Sequence, residues 1–187
     1  MIRNRQSISA KKLEDEDMTI ETRRDLDALK RVGAIVSSVP ATMLDRIEPG
    51  MTTAELDDIG GRLLPDHGAR SAPQVMYRFP GATCISINEQ AAHGIPGSRR
   101  INPGDLVNVE VSAELDGFYG PIDRRVLRDG MVIAIEPFLS TKSTQVYETD
   151  DGWTLAADSG NLSAQYQHTL IVTRGAPIIL TSILTRH

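Results

Sequence analysis

"VNVEVSAELDGFYGPIDRR", residues 107–125, decides how the chain is built. Its first half is a strand with two unlike faces. Val107, Val109, Val111, Ala113 and Leu115 alternate with Asn108, Glu110, Ser112 and Glu114. A period of two marks a strand with one face on a core and one face free. Asp116-Gly117 then turns the chain, an aromatic pair follows, and Gly120-Pro121 ends the ladder. Proline has no N–H to give a neighbouring strand, so pairing stops there. A row of carboxylates that runs into a proline has to be explained.

Upstream of this strand the pattern is helical. From Thr19 to about Ile47, Leu26, Leu29, Val32, Ile35, Val36 and Val39 recur at three- and four-residue spacing, with Thr22 placed to cap the start and Pro40 to disturb the end. Thr52-x-x-Glu55 is a capping box that opens a second helix, with Leu56, Ile59, Leu63 and Leu64 as its buried stripe and Gly68 as its terminator. From residue 72 onward no helix is predicted. The strand-like runs are 83–88, 106–115, 131–139, 144–148 and 165–173, and "DDGWT" reads as a hairpin turn. Two helices before five or so strands predict an α+β fold, helices on one face of a mainly antiparallel curved sheet. Two helices, one of them short, cannot cover such a sheet, and a bare apolar face calls for a partner. A second copy of the chain is the simplest one, so a homodimer is expected.

Composition narrows the function classes. The 187 residues suit a single domain, and 40% hydrophobic content allows a sizeable core, aliphatic because aromatics are 4%. A net charge of −5 argues against a nucleic-acid partner or an anionic membrane surface. No apolar stretch approaches the roughly 20 residues of a membrane helix. The single cysteine, Cys84, fits a reducing, cytoplasmic setting. Residues 1–17 read as a disordered charged leader and 18–187 as the domain, with Met18 a second candidate start.

Polar groups gather on the strand faces. Glu110 lies on the polar side of its strand, Glu136 shares a face with Val132 and Ala134, and His93 sits between Gly94 and an alanine pair in "AAHGIPG". In 165–173, Gln165, Gln167 and Thr169 share one face, and Tyr166, His168, Leu170 and Val172 the other. Converging strands would bring Glu110, Glu136, Gln167 and His93 to one cleft. The bland alternatives are a solvated Glu110, a loop His93, and a cross-strand polar pair at Gln167 and His168. Cys84 reads as a small buried hydrophobe, since no basic group adjoins it.

Longer words in the chain are more specific. "FPGATCISINEQAAHGIPG", "INPGDLVNVEVSAELDGFYG", "GMVIAIEPFLS" and "DGWTLAADSGNLSAQYQHTLIVTRGAPIILT" closely resemble type I methionine aminopeptidases, from about Met18 to Thr181. The resemblance implies the pita-bread fold. It also implies a site where two divalent metals, held by two aspartates, a histidine and two glutamates, deliver a hydroxide to the first peptide bond.

Carried over by residue, that ligand set is altered. The first aspartate, in the family's "VN[IV]DV" strand, falls on Glu110, and the second, after "DG[FY]xG", falls on Pro121. The family's "IEP" glutamate is Glu136, and the glutamate of its "SAQYEH" is Gln167. Between Gly120 and Pro121 the resemblance implies several dozen absent residues, among them a second pair of helices and the "HGIG" strand that carries the ligand histidine. Asp123 is a candidate substitute for the missing aspartate. His93 matches the "HGIP" histidine facing the scissile bond. Tyr77, Phe79 and Cys84 match the methionine side-chain pocket, Trp153 its far wall, and Gln167 and His168 complete the expected substrate-binding set.

Three readings follow. The first is a metal-independent acid/base enzyme, acting on a small molecule in the former peptidase cleft through His93, Glu110 and Glu136. It needs no cofactor. The second is a non-catalytic binding protein that holds a short peptide. The third is a residual metalloaminopeptidase, in which Mn, Co or Fe requires ligands that are shared between chains or substituted.

Overall fold

Thr22 opens the first helix as its side chain requires: its hydroxyl accepts from Asp25 N–H while the Asp25 carboxylate accepts from Thr22 N–H. The computed structural model describes residues 22–117 and 129–181. The leader 1–17, Met18, and the segment that holds Pro121 and Asp123 lie outside the described residues. Helix α1 spans Arg23–Leu44 and passes through Pro40 without ending there. Helix α2, Thr53–Asp66, has the expected reciprocal Thr52–Glu55 cap, and Gly68 follows it at φ +73°, the left-handed conformation that terminates helices.

Strand β1 (Arg70–Ser71) leads into α3 (Ala72–Tyr77), a helix the sequence reading did not predict. Ser71 caps it through Gln74 N–H, and Pro73 lies in its first turn, where a missing N–H costs nothing. Next come β2 (Cys84–Ile87), β3 (Gln90–Ala92), β4 (Val107–Glu110) and β5 (Ala113–Glu114). The predicted strand 106–115 is therefore two, because β4 pairs with β2 whereas β5 pairs with β1. The alternation itself holds across both, and Val107, Val109, Val111, Ala113 and Leu115 all face the core.

After residue 128 the chain forms β6 (Val132–Ile135), β7 (Phe138–Ser140), β8 (Tyr147–Glu148), β9 (Leu155–Ala156), β10 (Ser163–Gln165), β11 (His168–Ile171) and β12 (Ile178–Ile179). The predicted run 165–173 is broken at Tyr166-Gln167, and 131–139 at Glu136-Pro137. The two breaks face each other. Ile135 pairs with His168 and Phe138 with Gln165 in one unchanged register, so Glu136 stands opposite Gln167 and Pro137 opposite Tyr166. Tyr166 N–H still reaches Pro137 O at 3.3 Å. The expected "DDGWT" turn joins β8 to β9, with Thr149 N–H donating to Thr154 O.

Two cores result. The larger contains Val32, Ile35, Val39 and Met43 of α1, Leu56, Ile59 and Leu64 of α2, and Ile85 and Ile87 of β2. The smaller has four buried residues, Leu29, Val132, Ile171 and Leu180. Helix α1 spans both, and Gly33 marks the crossing: a Cβ there would lie 2.2 Å from Leu180 O. Among the described residues, no helix is long and apolar enough to cross a membrane.

Candidate active-site cleft

Strands β2 and β4 build one wall. Cys84 pairs with Glu110 and Ser86 with Asn108, so these four share a face, and the intervening Ile85, Ile87, Val107 and Val109 point into the core. His93 follows β3 with φ +55°, an uncommon conformation for a residue with a Cβ. Three contacts hold it there. His93 N–H donates to Glu110 Oε2 at 3.2 Å, Gly94 N–H to Ser86 Oγ at 3.1 Å, and Ile85 N–H to Gly94 O at 2.9 Å. Gly94 is required at this spot, since a Cβ would stand 2.2 Å from Ile85 O.

The β6–β7 and β10–β11 ladder builds the opposite wall. Glu136 lies at the break, and Gln165 Nε2 donates to its Oε2 at 3.2 Å while Gln165 Oε1 accepts from Asn108 Nδ2 at 3.0 Å. The Asn108–Gln165–Glu136 chain thus ties the two walls together. Burial raises the pKa of Glu136 above the usual carboxylate range, and the charge of Glu110 adds to it; His93 and the Gln165 hydrogen bond pull the other way. The structure brings His93, Glu110 and Glu136 within electrostatic reach of one another.

The remaining predicted residues divide. Phe79, 4% exposed, meets Trp153 edge to face with ring centroids 5.1 Å apart, a contact that forms an apolar wall. Cys84 is buried beneath Glu110, and its thiol pKa is raised by burial, then by Glu110 and Asp57, so it stays protonated and packs as a small hydrophobe. Tyr77 is 63% exposed at the end of α3. Gln167 is exposed and makes no hydrogen bond to a described residue, although its backbone stands opposite Glu136. His168 points to the other face of the ladder, where its Nδ1 lies 3.0 Å from Thr181 Oγ1 and its ring packs against Tyr166.

Two participants were not singled out from sequence: Asn108 and Gln165. The available signal was parity, since each lies two residues from a named candidate, Glu110 or Gln167, on the same strand face. Asp151 was missed as well. Burial raises its pKa, but hydrogen bonds from Thr154, Trp153 and Thr149 outweigh burial and lower it to about 2. That turn sets the backbone of Trp153.

The sequence profile of "Metallopeptidase family M24" matches residues 27–126. The chain is 31% identical to "Methionine aminopeptidase 2" of Bacillus subtilis (strain 168) over 249 aligned positions, which take in 89% of this chain and 100% of that relative. The chain belongs to metallopeptidase family M24. Within it, the similarity is to type I methionine aminopeptidases, which bears out the resemblance read from the sequence words. A "Methionine aminopeptidase" of Staphylococcus epidermidis (strain RP62A) is 32% identical over 89% of this chain and 99% of its own. Among solved structures, methionine aminopeptidase from Rickettsia prowazekii superimposes with a TM-score of 0.79 at 22% identity, covering 88% of this chain and 100% of that one. Prolidase from Pyrococcus furiosus gives 0.66 at 14% identity, over 90% and 66% respectively. The M24 fold of this chain is thus the pita-bread α+β fold with antiparallel strands.

M24 metallopeptidases imply a metal, and the donor set tests whether one fits. Two divalent cations held side by side need several anionic or imidazole donors to offset their repulsion. Among the described residues, no group of three His, Cys, Asp or Glu is arranged to hold even one ion. The group hydrogen-bonded to Glu136 is the amide of Gln165, and the residue whose backbone stands across the ladder is Gln167, also a neutral amide. The described residues do not fit a two-metal centre.

Proposed function

We propose that this M24 member uses its methionine-aminopeptidase-like cleft for acid–base chemistry on a small molecule or short peptide, without a dinuclear metal centre. One observation carries the reading: two carboxylates, Glu110 and Glu136, share the cleft with neutral amides where a metal site needs further anions. Glu136, with its raised pKa, supplies the acid, Glu110 the base, and His93 lies beside both. The Phe79–Trp153 wall gives the ligand an apolar seat. An internal shortening of the chain fits the same reading. The 249 aligned positions that span the whole B. subtilis relative exceed the 187 residues available here.

A metal-dependent aminopeptidase that removes N-terminal Met is the second reading, favoured by the 31% identity to a methionine aminopeptidase. One experiment separates the two. Chelator-stripped protein is titrated calorimetrically with Mn²⁺ and Co²⁺, and turnover of a Met-Ala peptide is assayed with and without chelator. The acid–base reading expects no submicromolar metal binding, no chelator-sensitive turnover, and a change in Trp153 fluorescence when Met-initiated peptide is added. Turnover that a chelator abolishes would establish the peptidase instead.

A further inference from the structure

The "DDGWT" turn between β8 and β9 carries a side chain that the turn itself does not need. The backbone closes unaided: Thr149 N–H donates to Thr154 O at 2.9 Å and Gly152 N–H to Thr149 O at 3.0 Å, with Gly152 at φ +75°. The Asp151 carboxylate serves the residues that follow. Its Oδ1 accepts from the N–H groups of Trp153 and Thr154, each at 2.8 Å, and its Oδ2 accepts from Thr154 Oγ1 at 2.6 Å. Short bonds to an ionised carboxylate are the strong kind. Thr154 is buried, and its hydroxyl oxygen also lies 3.5 Å from His93 O. The sheet explains this contact. Ala92 of β3 pairs with Leu155 of β9 in antiparallel register, so the next position sets His93 opposite Thr154.

We propose that Asp151 is a positioning residue of the cleft, which sets the apolar wall through the backbone of Trp153 and the His93 loop through Thr154. The proposal rests on the cleft reading above and deepens it. Trp153 carries the ring that meets Phe79, and Asp151 Oδ1 holds its backbone N–H. His93 is held on both sides of its α-carbon: Glu110 Oε2 accepts from its N–H at 3.2 Å, and Thr154 lies against its carbonyl. At φ +55° that residue keeps its conformation only while its neighbours impose it. The Thr154 hydroxyl proton goes to Asp151, the nearer acceptor, and this fixes the Thr154 rotamer against His93. One carboxylate thus fixes the apolar seat and the polar end of the cleft relative to each other, as a preorganised site requires.

The test begins on the full chain without ligand. Trp153 is the one tryptophan, so intrinsic fluorescence reads its surroundings alone, and amide exchange followed by NMR reads His93. Asp151→Ala should red-shift the emission and speed His93 N–H exchange at least about tenfold. Asp151→Asn keeps an acceptor oxygen for both N–H groups and should retain the wild-type emission. Thr154→Ala leaves the bond from Trp153 N–H in place, so it should speed exchange at His93 with the emission unchanged, and Thr154→Ser should restore the wild-type rate. Should Asp151→Ala fail to fold, the Thr154 pair decides. Calorimetry of chelator-stripped protein with a Met-Ala peptide follows, and Asp151→Ala should raise its Kd about fivefold or more. Wild type that binds no peptide would sink the peptide form of the cleft reading, whereas the positioning proposal is judged on the ligand-free pattern. A lower melting temperature in Asp151→Ala, with emission and His93 exchange at wild-type values, would overturn it, because the carboxylate would then only stabilise a hairpin. So would Asp151→Asn behaving as Asp151→Ala does, or Thr154→Ala and Thr154→Ser behaving alike.

Discussion

The two halves of the molecule solve the same packing problem unequally. In residues 22–117, α1 and α2 lie on the β2–β4 sheet, and Met43, Leu56 and Ile87 are completely buried. In residues 129–181 the shared core is four side chains, and nine of the fourteen large exposed hydrophobics among the described residues are found there, among them Leu139, Tyr147 and Tyr166. Each fully buried aliphatic side chain contributes about 1.5–3 kcal/mol. The first half therefore has the means to fold on its own contacts, whereas the second borrows α1 from the first. The cleft lies across this boundary, with Glu110 supplied by the well-packed half and Glu136 by the sparse one.

The largest effect should come from the deep core. Leu56→Ala removes a side chain with no exposure, in contact range of both helices and the sheet, and is expected to cost about 3–5 kcal/mol. Ile171→Ala in the smaller core should cost nearer 2 kcal/mol, because fewer neighbours lose contacts. Denaturant melts of both variants check the order, and equal losses would mean that the halves are packed alike.

Gly33→Ala cuts the link between them. The new Cβ would fall 2.2 Å from Leu180 O and 2.8 Å from its carbonyl carbon, so α1 and the 180 segment must separate. Overpacking of this kind costs about 1–3 kcal/mol. Hydrogen exchange should accelerate in β6, β11 and β12 while α2, β2 and β4 keep their protection. Uniform acceleration across the chain would show one cooperative unit instead.

How far the sequence was legible follows the same division. In the first half the signals are local and repeated. Thr22 and Thr52 each sit three residues before an acid, and Val107 to Leu115 alternate against one core. Helix α3 escaped because six residues are too few to show a helical period; only Ser71 as cap and Pro73 in the first turn announce it. In the second half the ladder runs through Pro137 without losing register, and nothing local to Glu136 or Gln167 reveals that they face each other. The carboxylates and His93 were readable from residue type and strand parity. Asn108 and Gln165 were not, since an amide's role is fixed by a partner 57 or 29 residues away. The altered ligand positions came from resemblance, and Pro121 and Asp123 lie outside the described residues.

The smallest expected effect contrasts one acid from each half, and its sign differs between them. Glu114 is 4% exposed, and its pKa is lowered first by the hydrogen bond from Arg70 Nε at 2.6 Å, then by Gly117 N–H, which donates to its Oε1 at 2.7 Å. A depressed folded-state pKa contributes stability that is present above the unfolded value near 4.5 and is lost as pH falls through the folded one. Glu136 is the reverse. Its raised pKa, caused by burial and then Glu110, leaves the fold most stable below 4.5, and that contribution is lost as pH rises through the folded pKa. Glu114→Gln should therefore cost about 1 kcal/mol at neutral pH and flatten the acid limb of a stability profile. Glu136→Gln should be neutral at low pH and stabilising, by under about 1 kcal/mol, at neutral pH and above. Paired urea melts from acid to neutral pH read both. If Glu136→Gln destabilises at neutral pH, the ionised carboxylate has a cationic partner that the described residues do not supply, and the charge balance assigned to the cleft is wrong.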